Sequence, residues 1–465
     1  MPGLRIAAVL LVTLTPALAV EPIDYDAVAR DARRTLDRLV AADTTNPPGN
    51  EARAVRIGVE RLKSRHVPYV VTTFAPGRQN LVARLKGRGT EPPLLLLAHT
   101  DVVGAAGQQW TSPPHQVTER DGYLVGRGVD DDLGMAAVAL EVLLAVKQST
   151  LMLRRDVILA WTGDEESGGG GIRWLLEHAR PSITAAVALN EGGGPRLDDQ
   201  GRVVRVELQT AEKTYQDFTI VARGPTGHSS VPVAGNAIYR LAHGLDGLAA
   251  LRFPVRLIPT TRAYFTARAA QEEPRLADAM RRMASADGEP PADAVAVLDE
   301  VPDLAAALRT TCVATLLAAG TRVNALPAEA TATVNCRIIP GQSVDEVRAA
   351  IVGALGDAEL VVTASSEFGW GEPSPLDRPG PDAIRAVSVQ MWPGVPVVPF
   401  MSRGATDARF LRAAGIAAYG LDPVPVSEVD ARRAHGIDER IPAASLRTGV
   451  EYLHRLVVAL AGPPR

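Results

Sequence analysis

Cysteine is almost absent from this chain. Cys312 and Cys336 are the only two, and neither stands in a Cys-x-x-Cys pair, so thiolate zinc sites are excluded. In an oxidising compartment the two could pair across neighbouring strands; two buried free thiols are an equal reading. An excess of charge of one sign is missing as well. With 49 basic and 53 acidic residues interspersed, the net charge is −4, which points to neither a nucleic-acid nor a membrane-surface partner. After the N-terminal segment, no run is long and apolar enough to span a bilayer. The mature protein is therefore expected to be soluble, without stable membrane insertion. Internal repeats and long disordered linkers are also lacking.

What is present is ordinary for a globular protein: 46% hydrophobic and 22% charged residues over 465 positions, enough for two domains and a sizeable core. The N-terminal segment is set apart. Arg5, the apolar stretch 6–14 and the small-x-small site Ala17-Leu18-Ala19 read as a cleaved signal peptide over residues 1–19, which makes the protein secreted or periplasmic. An uncleaved anchor is the alternative. No cysteine lies near the cleavage site, so a lipid anchor is not indicated.

Helical apolar spacing over 24–42 ends at the turn Asn46-Pro47-Pro48-Gly49-Asn50. Short apolar runs then alternate with helices: 94–97, 157–161 and 185–189 as strands, 133–146 and 172–179 as helices. This pattern predicts an α/β fold, a mostly parallel sheet flanked by helices, with ligands bound beyond the carboxyl ends of its strands. The texture changes near Lys213. Candidate strands at 217–222, 311–316, 330–338 and 360–364 accompany an Ala-rich helical region, 267–308, and a helix at 344–355. They suggest an inserted α+β domain over 213–366, between a first part (20–212) and a second part (367–465) of the main domain.

Acids gather where the strands should end. His99-x-Asp101 follows the run 94–97, and strand alternation points both side chains to one face. Asp130-Asp131-Asp132 stand before the helix at 133; helix capping explains one acid there, but three like charges call for a cation. Asp164-Glu165-Glu166 and Glu191 each follow an apolar strand and open a glycine loop. Adjacent glutamates can divide labour, one binding metal and the other free as general base, and the residues alone leave their order open. One histidine with several carboxylates makes a hard, mixed N/O site suited to zinc, with manganese or cobalt as substitutes. His435, in the returning α/β segment beside further acids, is the best second histidine; His66, His178, His243 and His454 read as surface or packing residues.

Taken in order, these motifs are recognisable. Leu97-Ala98-His99-Thr100-Asp101, Gly126-Arg127-Gly128 followed by Asp131, Gly163-Asp164-Glu165-Glu166, Asn190-Glu191-Gly192-Gly193 and His435 resemble the dinuclear zinc hydrolases that include aminoacylase, carboxypeptidase G, the vacuolar carboxypeptidase S and succinyl-diaminopimelate desuccinylase. The resemblance covers essentially the whole mature chain. It implies that Asp131 bridges two metal ions, that His99 and Glu191 complete one site, and that Glu166 and His435 complete the other. It makes Glu165 the general base and Asp101 the outer partner of His99.

The inserted segment matches too. Gly224-Pro225-Thr226-Gly227-His228-Ser229 resembles a lid motif whose His228 would serve the active site of a partner subunit in a homodimer. Asn324 and Arg337 resemble the substrate-binding pair, and the 404–409 loop another family motif. Leu133 stands where many relatives carry lysine, and the 267–308 region resembles an extra helical part of the lid in larger members.

The chemistry this implies is amide hydrolysis. A water between two divalent cations yields hydroxide near neutral pH, and Glu165 would carry its proton to the leaving amine. With Arg337 as a carboxylate fork, the substrate would be a small peptide with a free carboxylate end, cut by carboxypeptidase or dipeptidase action. The alternative is deacylation of an N-acyl amino acid. A catalytically inactive binding protein on the same fold is a third reading, disfavoured because every site position is filled.

Overall fold

A computed structural model describes residues 23–365 and 371–463; the signal-peptide reading lies outside them. Ten strands form one large sheet. Its centre is four parallel strands in the order Arg155–Thr162, Glu91–His99, Val187–Asn190, Ala417–Gly420. Antiparallel neighbours then make the sheet mixed: Arg78–Leu85 and Tyr69–Ala75 on one side, Val203–Glu212 and Gly194–Leu197 on the other. The central strands are continuous apolar runs because both faces are covered. Leu94, Leu96 and Ala98 enter one core and Leu95 and Leu97 the other, as the two-residue alternation of a strand requires.

Helix Leu133–Gln148 lies beneath the sheet and is buried almost all round, because helices Tyr25–Ala41 and Ser445–Ala461 cover its other side. A helix apolar on nearly every side is stable in such a covered position. Its one buried acid, Glu141, accepts hydrogen bonds from Thr35 and Arg61, so no charge is left unpaired.

A second, four-stranded antiparallel sheet takes its strands from Thr311–Ala319, Glu329–Ile338, Thr214–Arg223 and Val361–Ala364. Helices Ala237–Ala250 and Val344–Leu355 close its separate core around Phe218, Val334 and Ile351. Cys312 and Cys336 face each other across two of its strands and form a disulfide, which decides between the two readings of the cysteines.

The Ala-rich region lies elsewhere than expected. Helices Pro259–Arg268, Pro274–Ser285, Ala292–Asp299 and Pro302–Leu308 build their own core around Phe265, Met280 and Leu298. The first of them packs on strand Val397–Ser402 of the large sheet, with Thr260 bonded to Thr210 at 2.9 Å. The cause is amphipathic burial: the other three helices bury their apolar faces in succession on this first helix instead of joining the core of the small sheet. Among the described residues, no helix is long and apolar enough to cross a membrane.

Candidate metal centre and active site

Three parallel strands end at one edge of the large sheet and deliver acids to one point. Glu91–His99 ends on His99, Arg155–Thr162 runs into the loop of Glu165 and Glu166, and Val187–Asn190 is followed by Glu191. Asp131 comes from the turn before helix Leu133–Gln148. His435 arrives from far along the chain, between helix Glu428–Ala431 and strand Arg440–Pro442.

The geometry forms two groups that share one carboxylate. His99 Nε2 lies 3.0 Å from Asp131 Oδ1 and 3.8 Å from Glu191 Oε1. His435 Nε2 lies 3.1 Å from Asp131 Oδ2 and 3.0 Å from Glu166 Oε2. Within each group the candidate ligand atoms all lie within 4.8 Å of one another. Asp131 thus faces one group with each of its oxygens, as a bridging ligand must.

Electrostatics make the same demand. Burial would raise Asp131, yet hydrogen bonds from His435 and His99 hold it well below the usual carboxylate range. Hydrogen bonds to Asp131 and Glu166 push His435 up to about 10. Burial lifts Glu165 and Glu191 well above the usual range, and neighbouring carboxylates add to the rise. Crowded, buried acids of this kind are stabilised by positive charge. Glu166 Oε1 and Glu191 Oε1 are buried and lack a hydrogen-bond partner among the described residues. Two nitrogen donors and three carboxylates, some with unsatisfied oxygens, fit a pair of divalent ions.

Asp101 is placed beside His99, but its role is finer than expected. His99 Nδ1 lies 3.0 Å from the Asp101 carbonyl and 3.6 Å from its carboxylate. The carboxylate instead accepts the backbone N–H groups of Glu165 and Glu166, each at 3.2 Å, and Asn46 Nδ2 at 2.8 Å. One side chain therefore fixes the turn carrying both glutamates, while its backbone orients the histidine. Those hydrogen bonds and His99 keep Asp101 ionised despite its burial.

Other positions divide. Asp164, one of the three acids in its loop, lies outside both groups: it accepts from Arg78 at 2.8 Å, Asn46 at 3.1 Å and the Gly170 N–H at 3.1 Å, and so shapes the loop. Arg337 stacks over Tyr215 at 4.7 Å and donates to the Arg403 carbonyl at 3.2 Å, which ties the small sheet to the loop leading to Asp407. His228 and Asn324 are brought together by the pairing of Gly227–His228 with Ala325–Leu326, but both are exposed. The His228 ring bonds Ser230 Oγ at 2.7 Å, and His228 belongs to neither metal-ligating group.

Sequence reasoning missed Asn46 and left Asp407 without a role. Asn46 sits in the Pro-Pro turn, where turn chemistry hid any other signal. Asp407 is buried, accepts from Thr162 Oγ1 at 2.7 Å, and is raised by burial to about 6. Its place within the 404–409 loop motif was the available clue.

Comparison with known proteins agrees with this geometry. Residues 95–459 match the model of peptidase family M20/M25/M40. Human N-fatty-acyl-amino acid synthase/hydrolase PM20D1 is 28% identical over 394 residues, covering 80% of this chain and 75% of that protein. Probable carboxypeptidase S-like 2 of Dictyostelium discoideum is 26% identical over 386 residues, covering 78% and 71%. Among solved structures, the M20 family metallo-carboxypeptidase Sso-CP2 from Sulfolobus solfataricus shares the fold, with a TM-score of 0.70 at 17% identity over 92% of this chain and 98% of that one. With the family match spanning most of its length and a metal-ligating cluster at the sheet edge, the chain belongs to peptidase family M20/M25/M40 and is a metal-dependent hydrolase of amide bonds.

Proposed function

We propose that the protein is a secreted dizinc exopeptidase that cuts the amide bond next to a free carboxylate, as a carboxypeptidase or dipeptidase. The observation that carries this is the pair of groups sharing Asp131, with Glu165 adjacent in sequence to Glu166. His99, Asp131 and Glu191 would hold one ion, and Asp131, Glu166 and His435 the other. Once bound, the ions supply Lewis acidity that makes a water acidic and a carbonyl electrophilic. Glu165, its basicity raised by burial, accepts the proton of the attacking water and returns it to the amine nitrogen as the C–N bond breaks. Asn324 and Arg337 bind the substrate, and Arg337 forms no ion pair with an acidic side chain among the described residues, leaving its fork for a carboxylate. His228, exposed in a single chain, acts on the carbonyl oxygen at a partner subunit's site in a homodimer.

The second reading, deacylation of N-acyl amino acids, has its own support. The human relative is named as an N-fatty-acyl-amino acid synthase/hydrolase. A cavity of about 660 Å³ reaches Gly192, next to Glu191 in sequence, and its lining mixes Tyr264, Leu276, Leu304, Phe400 and Met401 with charged side chains such as Arg196, Arg205, Glu207 and Arg268. Its apolar part has room for an acyl chain or a bulky side chain. Export is supported by the N-terminal pattern of residues 1–19 and by the Cys312–Cys336 disulfide.

One experiment tests these points together. The exported protein should begin near Val20, contain two zinc ions, and hydrolyse dipeptides or N-acyl amino acids only when the C-terminal carboxylate is free. Glu165→Ala should keep both metals and lower kcat by about 10²–10⁴. Unchanged turnover in that variant removes Glu165 as the base, and indifference to a blocked carboxylate removes the exopeptidase reading.

A further inference from the structure

We infer that Arg127 and Glu439 form a buried clamp that sets the His435 metal position, by tying the loop of His435 to the turn of Asp131. Neither residue touches the ligand groups directly. Their side chains are 1% and 0% exposed and meet at 2.7 Å. Both come from motifs that the reaction itself leaves without a role.

The contacts run to both metal-ligating segments. Glu439 Oε1 accepts the N–H of Asp130 at 2.9 Å and of Asp131 at 3.1 Å, and Oε2 accepts the N–H of Gly128 at 2.9 Å. One carboxylate thus satisfies three backbone donors of the turn that presents the shared ligand. On the other side, Arg127 Nη2 donates to the carbonyls of His435 at 3.2 Å and Gly436 at 3.1 Å, and to Gln108 Oε1 at 3.0 Å. Gln108 Nε2 in turn reaches the His435 carbonyl at 3.1 Å. The guanidinium is also stacked 5.0 Å from the Trp110 ring centre. Both terminal nitrogens of the fork are used, while Nε has no hydrogen-bond partner among the described residues.

The two metal positions need this support unequally. His99 ends a central strand, and its own N–H is held by Asp132 at 3.2 Å. His435 has no such frame. It lies in a loop with φ +65°, a conformation that non-glycine residues adopt only when their surroundings impose it. Its side chain is 56% exposed, so packing does little to fix it. Antiparallel pairing of Arg440–Pro442 with Tyr123–Val125 brings the two segments side by side, and the clamp carries that register on to the ligands. Outer hydrogen bonds of this kind tune metal affinity by about 10- to 100-fold.

The inference rests on the proposed ligand assignment, so the test separates the two. Cobalt(II) is titrated into metal-free, full-length protein and followed by its visible absorption, with His435→Ala as the reference for loss of that position. Arg127→Lys keeps the charge beside Glu439, but a single ammonium cannot reach Glu439, Gln108 and two carbonyls at once. The expected result is one cobalt site within about threefold of wild type and the other weakened about 10- to 100-fold, with a spectrum like that of His435→Ala. Amide exchange across 433–439 in the metal-free variant should also quicken. Glu439→Gln also loosens the turn of the shared Asp131, so it should weaken both sites, and it leaves a buried arginine unpaired and risks misfolding; Arg127→Lys therefore decides. A wild-type protein that binds fewer than two ions overturns the ligand assignment itself. Two ions in wild type with unchanged affinities in Arg127→Lys overturn the clamp, and so does an equal loss at both sites.

Discussion

His454 lies on helix Ser445–Ala461 with Nδ1 3.0 Å from the Tyr25 hydroxyl. Burial, followed by the charge of Arg455, lowers its pKa to about 4. In the unfolded chain the group titrates at about 6.5. Between those values the unfolded state binds a proton that the folded state refuses, so stability rises with pH there and is lost as pH falls from about 6.5 to 4. The effect is at most about 3 kcal/mol at 1.36 kcal/mol per pKa unit, less for partial exposure. In chelator, His454→Gln should therefore lose less stability than wild type between pH 7 and 4, measured by urea denaturation. Parallel curves would show that this ring plays no part. Legibility at this scale follows distance along the chain. His99, Glu165 and Glu191 could be read because a strand end and its following loop are local. Asn46 and Glu439 could not, because the groups they hold lie 55 and about 309 residues away.

Helix Ser445–Ala461 closes the core beneath the sheet. Leu446, Val450, Leu453, Leu456, Val457 and Leu460 are buried at helical spacing and face helices Tyr25–Ala41, Leu133–Gln148 and Pro379–Met391. Leu453 is fully buried, so Leu453→Ala should cost about 2–5 kcal/mol through lost transfer energy and the cavity left behind. The denaturation midpoint should fall with little change in slope; an unchanged midpoint would mean that the helix is not part of the cooperative core. Elements with a clean period were legible, including the strand before His99 and helix Leu133–Gln148. The packing partner of an amphipathic helix was not. Residues 267–308 were read as helical and hold three helices, but an apolar stripe does not say which surface it will cover; these pack in succession on helix Pro259–Arg268, which itself lies on the large sheet.

For the molecule as a whole, the small sheet leaves strand Thr311–Ala319 at its edge, with Val313, Leu316 and Leu317 62–68% exposed. An apolar edge of this kind is a template for pairing. It fits the proposed homodimer, in which His228 would complete a partner's site. Sedimentation velocity should show a dimer, and Leu316→Glu combined with Leu317→Glu should give a folded monomer with reduced kcat. A monomeric wild-type enzyme would remove the role assigned to His228. By itself, the sequence determined the α/β class, the strand ends that carry acids, and the ordered motifs, because hydrophobic period and turn chemistry act over a few residues. Only the tertiary structure decided that each oxygen of Asp131 faces a different histidine, that Asp101 braces the two glutamates, and that Cys312 and Cys336 are joined. Those outcomes depend on buried hydrogen bonds and charge pairs between segments far apart in the chain, whose geometry exists only once the core has closed.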